Sequence, residues 1–336
     1  MQVITPTPAQ ALSLVQAMHA VATAEGTVAM LPIEAESIAA IQRHLLHQDE
    51  PVQPPALVMP QDLAAVIDTP VLRREAVRIL AMVAVLDKQV TDAKVRLVEG
   101  AAATLGVEEY GVGLLRLAQQ RQFRKLAFKV IMRSVAHYWS PTGKARLRDW
   151  LDMARIAMPA IPGLYAMLVD RTLLERYRAL EARPAGTLGH GLFRFYRDRG
   201  FPMPGEPKSF PEGWSKHEIY HIISEYETSL QGEMLNAAFS GGNTEVLCMD
   251  LLLMTLLQFH AGFQVMPGPV LKDELKPDAF FRAVARGAAT QVDVLAGWDW
   301  WSAVDQPIAE LRQRFQVPPL RPEERRWLAE NGCLLA

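Results

Sequence analysis

LRREAVRILAMVAVLDKQVTDAKVRLVEGAAATLGV, running from Leu72 to Val107, decides the fold class. Apolar side chains recur at spacings of three and four residues from Leu72 to Leu86 and again from Thr91 to Leu105, the period of a helix with one buried face. The segment between them, Leu86-Asp87-Lys88-Gln89-Val90-Thr91-Asp92, is polar and places Thr91 as an N-cap. The reading is helix, acidic turn, helix. Outward from this stretch the same period covers Ala9 to Thr23 and Glu36 to His47, joined through Ala24-Glu25-Gly26-Thr27-Val28, so the N-terminal part reads as a degenerate repeat. Few windows alternate with period two, and the chain is expected to be all-α.

With 336 residues, half of them hydrophobic, the chain can build two ordinary cores. Pro51 to Pro60 reads as a loop, and Ser140-Pro141-Thr142-Gly143 marks a break near residue 140, giving two helical domains, 1–140 and 141–336. A net charge of −2 provides no basic field for polyphosphate, so nucleic acid is excluded as a partner. Two cysteines, Cys248 and Cys333, cannot form a disulfide framework, and the opening MQVITPTPAQ lacks signal or transit features; both point to the cytoplasm. The most apolar run, Val246 to His260, is interrupted by Asp250, Gln258 and His260 and reads as a buried helix rather than a membrane span. Neither a phosphate-binding glycine loop nor a local triad signature is present.

Chemistry concentrates at His217-Glu218-Ile219-Tyr220-His221, after which eleven intervening residues lead to Glu233. On a helix His217 and His221 lie about 40° apart, with Glu218 about 100° and Glu225 about 80° round from His217, so one face can carry all four. Thr228 and Gln231 read as a capping box that sets Glu233 in the first turn of the next helix. Two imidazoles and two carboxylates, His217, Glu218, His221 and Glu233, form a candidate divalent metal site; the ligand set suits Zn, Fe, Mn or Co alike. The same string matches the His-Glu-x-x-His hydrolase pattern, with Glu218 as general base and Glu233 as third ligand, and it also matches a solvated helix face.

The flanks narrow these alternatives. Ala185-Gly186-Thr187-Leu188-Gly189, Phe195, Gly200-Phe201-Pro202, the His pair, Gly232-Glu233, Ala285-Arg286-Gly287, Trp298, Trp301 and Leu311-Arg312 together resemble the coenzyme Q biosynthesis protein four family over roughly residues 145–320. That family carries Thr/Ser-Leu-Gly, then His-Asp-x-x-His, then eleven residues and Gly-Glu. The resemblance implies a helical C-terminal fold with metal ligands at His217, Glu218, His221 and Glu233. Two positions depart from the pattern. Glu218 stands where the family has Asp, leaving its role open between ligand and base, and Leu192 stands where a Tyr is usual, removing a phenol from the substrate side. Roughly residues 8–135 resemble the tellurite-resistance protein B-like helical domain, whose acidic turns are reduced here to Glu25, Asp87 and Asp92, read as structural caps.

Several other groups are read as structural. His44 and His47, beside Asp49 and Glu50, look like a solvated helix end; His190 and His260 are set outside the site. Arg183 to Gly189 and Pro202 to Gly213 read as connectors around a short helix, Leu192 to Arg199. Trp298, Trp300, Trp301, Phe280 and Phe281 form either core or the lining for an apolar tail. Arg121, Arg124, Lys125, Lys129 and Arg133 alternate with Phe123, Leu126 and Phe128, a stripe that suits either a solvated helix face or peripheral contact with anionic lipid. The function implied by the family resemblance is metal-dependent oxidative removal of a ring carboxylate from a polyprenylated precursor. Glu218 or Glu225 would move a proton, and biosynthetic enzymes or a second copy of the chain would be partners. A non-catalytic isoprenoid- or quinone-binding scaffold and a zinc hydrolase are the alternatives.

Overall fold

The computed structural model describes residues 1–48, 50, 52, 56–139, 147, 150–151, 170–266 and 269–335. The expected boundary Ser140-Pro141-Thr142-Gly143 lies outside the described residues. The protein is all-α: among the described residues there is no strand, only isolated bridges. Its α-helices there are α1 Pro8–Ala22, α2 Pro32–His44, α3 Pro70–Val83, α4 Asp92–Leu105, α5 Tyr110–Gln119, α6 Phe123–Ser134, α7 Arg171–Arg178, α8 Leu188–Asp198, α9 Ser215–Ser224, α10 Leu230–Asn243, α11 Cys248–Thr255, α12 Pro277–Ala289, α13 Ile308–Arg314 and α14 Pro322–Glu330.

Local chemistry sets many of these ends. Thr7 and Gln10 form a reciprocal capping box at α1, and Thr69 accepts from the Leu72 amide ahead of α3, with proline at the first helical position in both. Thr91 occupies the N-cap of α4, but its hydroxyl makes no capping bond; the helix ends at Gly106, whose φ of 65° lies where glycine alone is unstrained.

Packing divides the chain into two compact units, one of Met1–Lys129 with Ala237–Ala289, the other of Val130–Asn236 with Thr290–Ala336. Residues 237–289 thus pack with the N-terminal helices, whereas the sequence reading grouped them with the C-terminal domain. Apolar period reports which face a helix buries, not which core receives it.

In the first unit α1 packs on α2, α3 and α4, α11 on α3 and α5, and α12 on α2. Buried charges are answered locally. Lys94 lies 2.6 Å from Glu34 and 2.8 Å from Asp87, so the carboxylate of the acidic turn is matched by an internal ammonium. Arg78 bridges Glu75, Glu109 and Glu245 at 2.9, 2.7 and 3.0 Å. His44 is not a solvated helix end: its Nε2 lies 2.8 Å from Asp278 and its side chain is largely buried, while His47 is exposed and Asp49 lies outside the described residues. His260 donates from Nε2 to the Leu86 carbonyl at 2.8 Å. Phe280 and Phe281 are buried core residues packed edge to face.

In the second unit α8 packs on α9 and α9 on α13, while Tyr177 meets Tyr196, Trp300 and Trp301 edge-on. Trp300 and Trp301 stack at 4.3 Å, and Trp298 packs edge-on against Phe315 at 5.1 Å, so these aromatics are packing groups.

Within the first unit one crossing is set by glycine. A Cβ on Gly287 would sit 1.9 Å from the Phe239 carbonyl oxygen, and one on Gly242 would sit 2.1 Å from that of Val284. Gly287→Ala is therefore expected to destabilise by at least the ~1–3 kcal/mol typical of overpacking. Gly113→Ala, on α5 with nothing within 4 Å, should stabilise by ~0.5–1 kcal/mol. Thermal and denaturant unfolding of both variants checks this; equal effects would show that the crossing tolerates a methyl group.

Candidate functional site

The Thr187-Leu188-Gly189 segment shapes the frame on which the site rests. Thr187 is the N-cap of α8, so the helix begins four residues earlier than the expected Leu192. Backbone bonds Leu188 N–H to Gln306 O, Gly189 N–H to Val304 O and Ile308 N–H to Gly186 O pin this turn to the segment before α13. Gly189 permits the contact, since a Cβ there would meet the Val304 carbonyl oxygen at 2.9 Å. From α8, Phe195 reaches the His221 ring with centroids 5.5 Å apart.

Helix α9 carries the His pair and is buried on almost every side. His221 is fully buried and Glu218 is 5% exposed. Lys216 points another way, donating to the Leu295 carbonyl at 2.6 Å; burial pulls its ammonium down to about 8, with Asp293 opposing. Glu233 arrives from the first turn of α10. Its helix is capped by Ser229, which accepts from the Gly232 amide at 3.2 Å, not by Thr228, whose hydroxyl donates to Glu227. Glu233 still falls in the first turn, as the spacing predicts.

Three groups converge. His217 Nε2 and His221 Nε2 are 3.2 Å apart, His217 Nε2 is 3.1 Å from Glu233 Oε2, and His221 Nε2 is 3.4 Å from Glu233 Oε1. Ligands about 2.1 Å from one cation lie roughly 3.0–3.4 Å from each other in octahedral or tetrahedral geometry, so these separations match polyhedron edges. Glu218 joins them, its carboxylate and the two imidazoles offering ligand atoms within 4.8 Å of one another.

The His221 tautomer is fixed by its other nitrogen. Nδ1 lies 2.8 Å from the Tyr226 carbonyl oxygen, which can only accept, so Nδ1 carries the proton and the Nε2 lone pair faces the cluster. Metal-ligating histidines are oriented in this way. His217 Nε2 then donates toward Glu233.

Electrostatics reinforce the picture. Burial disfavours the His217 imidazolium, but Glu233 and Glu218 outweigh it and raise its pKa. Burial also works against the Glu233 carboxylate, yet the two imidazoles hold it well below the usual range. Glu218 is the opposite case: burial raises its pKa, and the neighbouring His217 and His221 only partly oppose it. Burial, with Glu218 and Glu233 adding to it, pushes the Tyr138 phenol well above its ordinary value.

Glu225 is not part of this cluster. It ends α9 with φ of 67°, and its carboxylate pairs with Arg325 at 2.5 Å and with Arg312 at 3.7 Å. Helical angle alone placed it beside His217; the chain leaves the helical path at this residue. Sequence reasoning also missed the aromatic wall. Trp214 packs on the His217 ring at 5.2 Å, Phe210 stacks on Trp214 at 5.1 Å, and Tyr138 lies 6.1 Å from Trp214. Trp214, one turn before His217, was the legible member; Tyr138, far off in sequence, gave no local sign.

A carboxylate whose burial outweighs its favourable neighbours disfavours the folded state when it is ionised. With its folded pKa raised, Glu218 costs stability as pH climbs above the ordinary carboxylate value of about 4.3. Glu218→Gln should therefore raise the melting temperature of the metal-free protein at neutral pH and reduce the further gain on adding divalent metal. Differential scanning fluorimetry with chelator or metal decides it; a variant less stable without metal would contradict this account of Glu218.

The chain matches no protein-family model, and neither curated proteins nor solved structures gave a significant match.

Proposed function

We propose that the His217, Glu218, His221 and Glu233 cluster holds a divalent metal ion and that the protein is a metal-dependent enzyme of the kind that the coenzyme Q biosynthesis protein four resemblance implies. The observation that carries this reading is the convergence of His217 Nε2, His221 Nε2 and the Glu233 carboxylate at ligand-edge distances, with the buried Glu218 carboxylate offering an atom within 4.8 Å of the two imidazoles. A cation would add to His217 and His221 in answering the buried Glu218 carboxylate.

A bound metal ion would supply Lewis acidity toward a carboxylate or phenolate head group. The remaining tasks belong to the chain. His221 presents its lone pair because Tyr226 takes its other proton. Glu218, whose pKa burial raises, is the carboxyl placed to hold a proton and return it to a substrate oxygen or carbon. Phe195 against His221 and Trp214 against His217, with Tyr138 packed on Trp214, shield the imidazoles from water. His217 and Glu233 keep 24% and 30% of their side chains exposed, which leaves an approach for a small molecule. Phe201 and Phe210, at 40% and 52% exposure, give an isoprenoid-like tail apolar surface in the same unit. The reaction class proposed is oxidative removal of a ring carboxylate from an aromatic, isoprenoid-tailed precursor.

Mass-spectrometric metal analysis of untagged wild type and His221→Ala, followed by turnover assays with a prenylated hydroxybenzoate under air, tests the reading. Near-stoichiometric metal in the wild type, lost in the variant, with release of carbon dioxide from the substrate, is the expected result. Stoichiometric metal without turnover would favour the non-catalytic isoprenoid-binding scaffold. Cleavage of peptide or ester substrates would favour the zinc hydrolase, and absence of metal from both proteins would sink the metal reading.

A peripheral bilayer contact from a cytoplasmic location completes the proposal. No helix among the described residues is long and apolar enough to cross a membrane. On the segment leading into and along α6, however, Arg121, Arg124, Lys125 and Lys129 are exposed around Phe128, which is itself 62% exposed. A basic face with an interfacial aromatic suits an anionic headgroup layer. Co-sedimentation with vesicles containing phosphatidylglycerol should fall several-fold in Phe128→Ser/Lys125→Glu and vanish with purely zwitterionic vesicles; equal binding by variant and wild type would dismiss the face.

A further inference from the structure

Glu225 sits at an awkward position for its residue type. Its φ of 67° and ψ of 21° are left-handed, a conformation in which helices usually end on glycine because a side chain there is strained. A glutamate is nevertheless held in place, and the groups that hold it come from the far end of the sequence. Arg325 on α14 pairs with its carboxylate at 2.5 Å, and Arg312 on α13 approaches the same oxygen at 3.7 Å. Arg312 also donates to the Ile223 and Ile222 carbonyls at 3.1 and 2.6 Å, closing the last turn of α9.

The backbone on either side is gripped as well. Leu335 N–H donates to Glu225 O at 2.9 Å, Glu227 N–H donates to Cys333 O at 2.8 Å, and Tyr226 bridges Leu334 in antiparallel register. Three consecutive residues, Glu225 to Glu227, are thus fastened to Cys333 to Leu335. The middle one, Tyr226, supplies the carbonyl that accepts from His221 Nδ1. Orientation of that carbonyl decides which nitrogen of His221 keeps its lone pair for the cluster.

We infer that Glu225, Arg312 and Arg325, with the paired segment Cys333–Leu335, form a positioning device that fixes the tautomer and ring orientation of His221. Glu225 is a positioning residue, not the proton carrier that its helical angle suggests. The inference deepens the metal-site reading and rests on it for the metal affinity, while the His221 tautomer tests it independently of any metal. A glycine at 225 would relieve the left-handed backbone, so a purely structural helix end predicts that Glu225→Gly is neutral or stabilising in every respect. The positioning device predicts a split: folding is preserved and His221 is released.

The experiment uses the full chain labelled with 15N-histidine, comparing wild type, Glu225→Gly, Arg325→Ala and Arg325→Lys. Long-range proton–nitrogen spectra of the metal-free proteins report which His221 nitrogen is protonated. Competition with a chromophoric chelator gives the affinity for Co2+ and Zn2+. Expected are a single Nδ1–H form in the wild type, mixed tautomers in Glu225→Gly and Arg325→Ala with an unchanged or higher melting temperature for Glu225→Gly, and about 10–100-fold weaker metal binding, the cost typical of losing a partner of a ligating histidine. Arg325→Lys should recover part of both. A wild-type tautomer retained in Glu225→Gly and Arg325→Ala overturns the inference. A wild type that binds neither ion while the tautomers shift as expected removes the metal reading and leaves the positioning device intact.

Discussion

An ionised side chain taken out of water costs several kcal/mol unless an opposite charge or donors meet it, and this constraint orders the structure. In the first unit it is met from within: Lys94 lies between Glu34 and Asp87, and Arg78 between Glu75, Glu109 and Glu245. Each cation lies in contact with more than one carboxylate. Glu218 in the second unit is different, since its burial is comparable and the groups that chiefly oppose its desolvation are the imidazoles of His217 and His221. The same physics that makes Lys94 and Arg78 structural makes Glu218 a candidate for chemistry, because a buried carboxylate with a raised pKa beside imidazoles is poised for a ligand or a proton.

The site is built by two layers of constraint that act on different atoms. Side chains of α9 and α10 bring His217, His221 and Glu233 together, while a backbone carbonyl outside both helices selects the protonation pattern of His221. Aromatic rings from α8 and from the segment before α9 hold the imidazole planes. Such layering positions the His217, His221 and Glu233 side chains from more than one direction.

Much of this was legible in the order of residues. The four N-terminal helices fall within a few residues of their periodic windows, since Thr7, Thr69 and Gly106 mark their ends by local chemistry. The convergence of His217, His221 and Glu233 was legible because i and i+4 on a helix, plus a first-turn glutamate, are local facts. What escaped was a fine local choice and several non-local placements. Ser229 rather than Thr228 caps α10, a choice between adjacent residues that a hydroxyl makes by reach. Glu225 was misread because its backbone turns left-handed, and its partners Arg312 and Arg325 lie some ninety to a hundred residues on. The placement of residues 237–289 was equally hidden, because an apolar helix face carries no address.

That placement has a consequence for how the chain is made. The first unit draws on Met1–Lys129 and on Ala237–Ala289, so its N-terminal helices leave the ribosome about a hundred residues before the segment that completes their core. At translation rates of roughly 5–20 residues per second, the stretch of about 160 residues from Lys129 to Ala289 takes roughly 8–32 seconds. During it the apolar surfaces that later receive α12 stay open to water or to a chaperone, while only the first part of the second unit, Val130–Asn236, is synthesised. Completion of the first unit is therefore gated by synthesis through Ala289, and slow translation there would lengthen the period in which the nascent chain is vulnerable to aggregation.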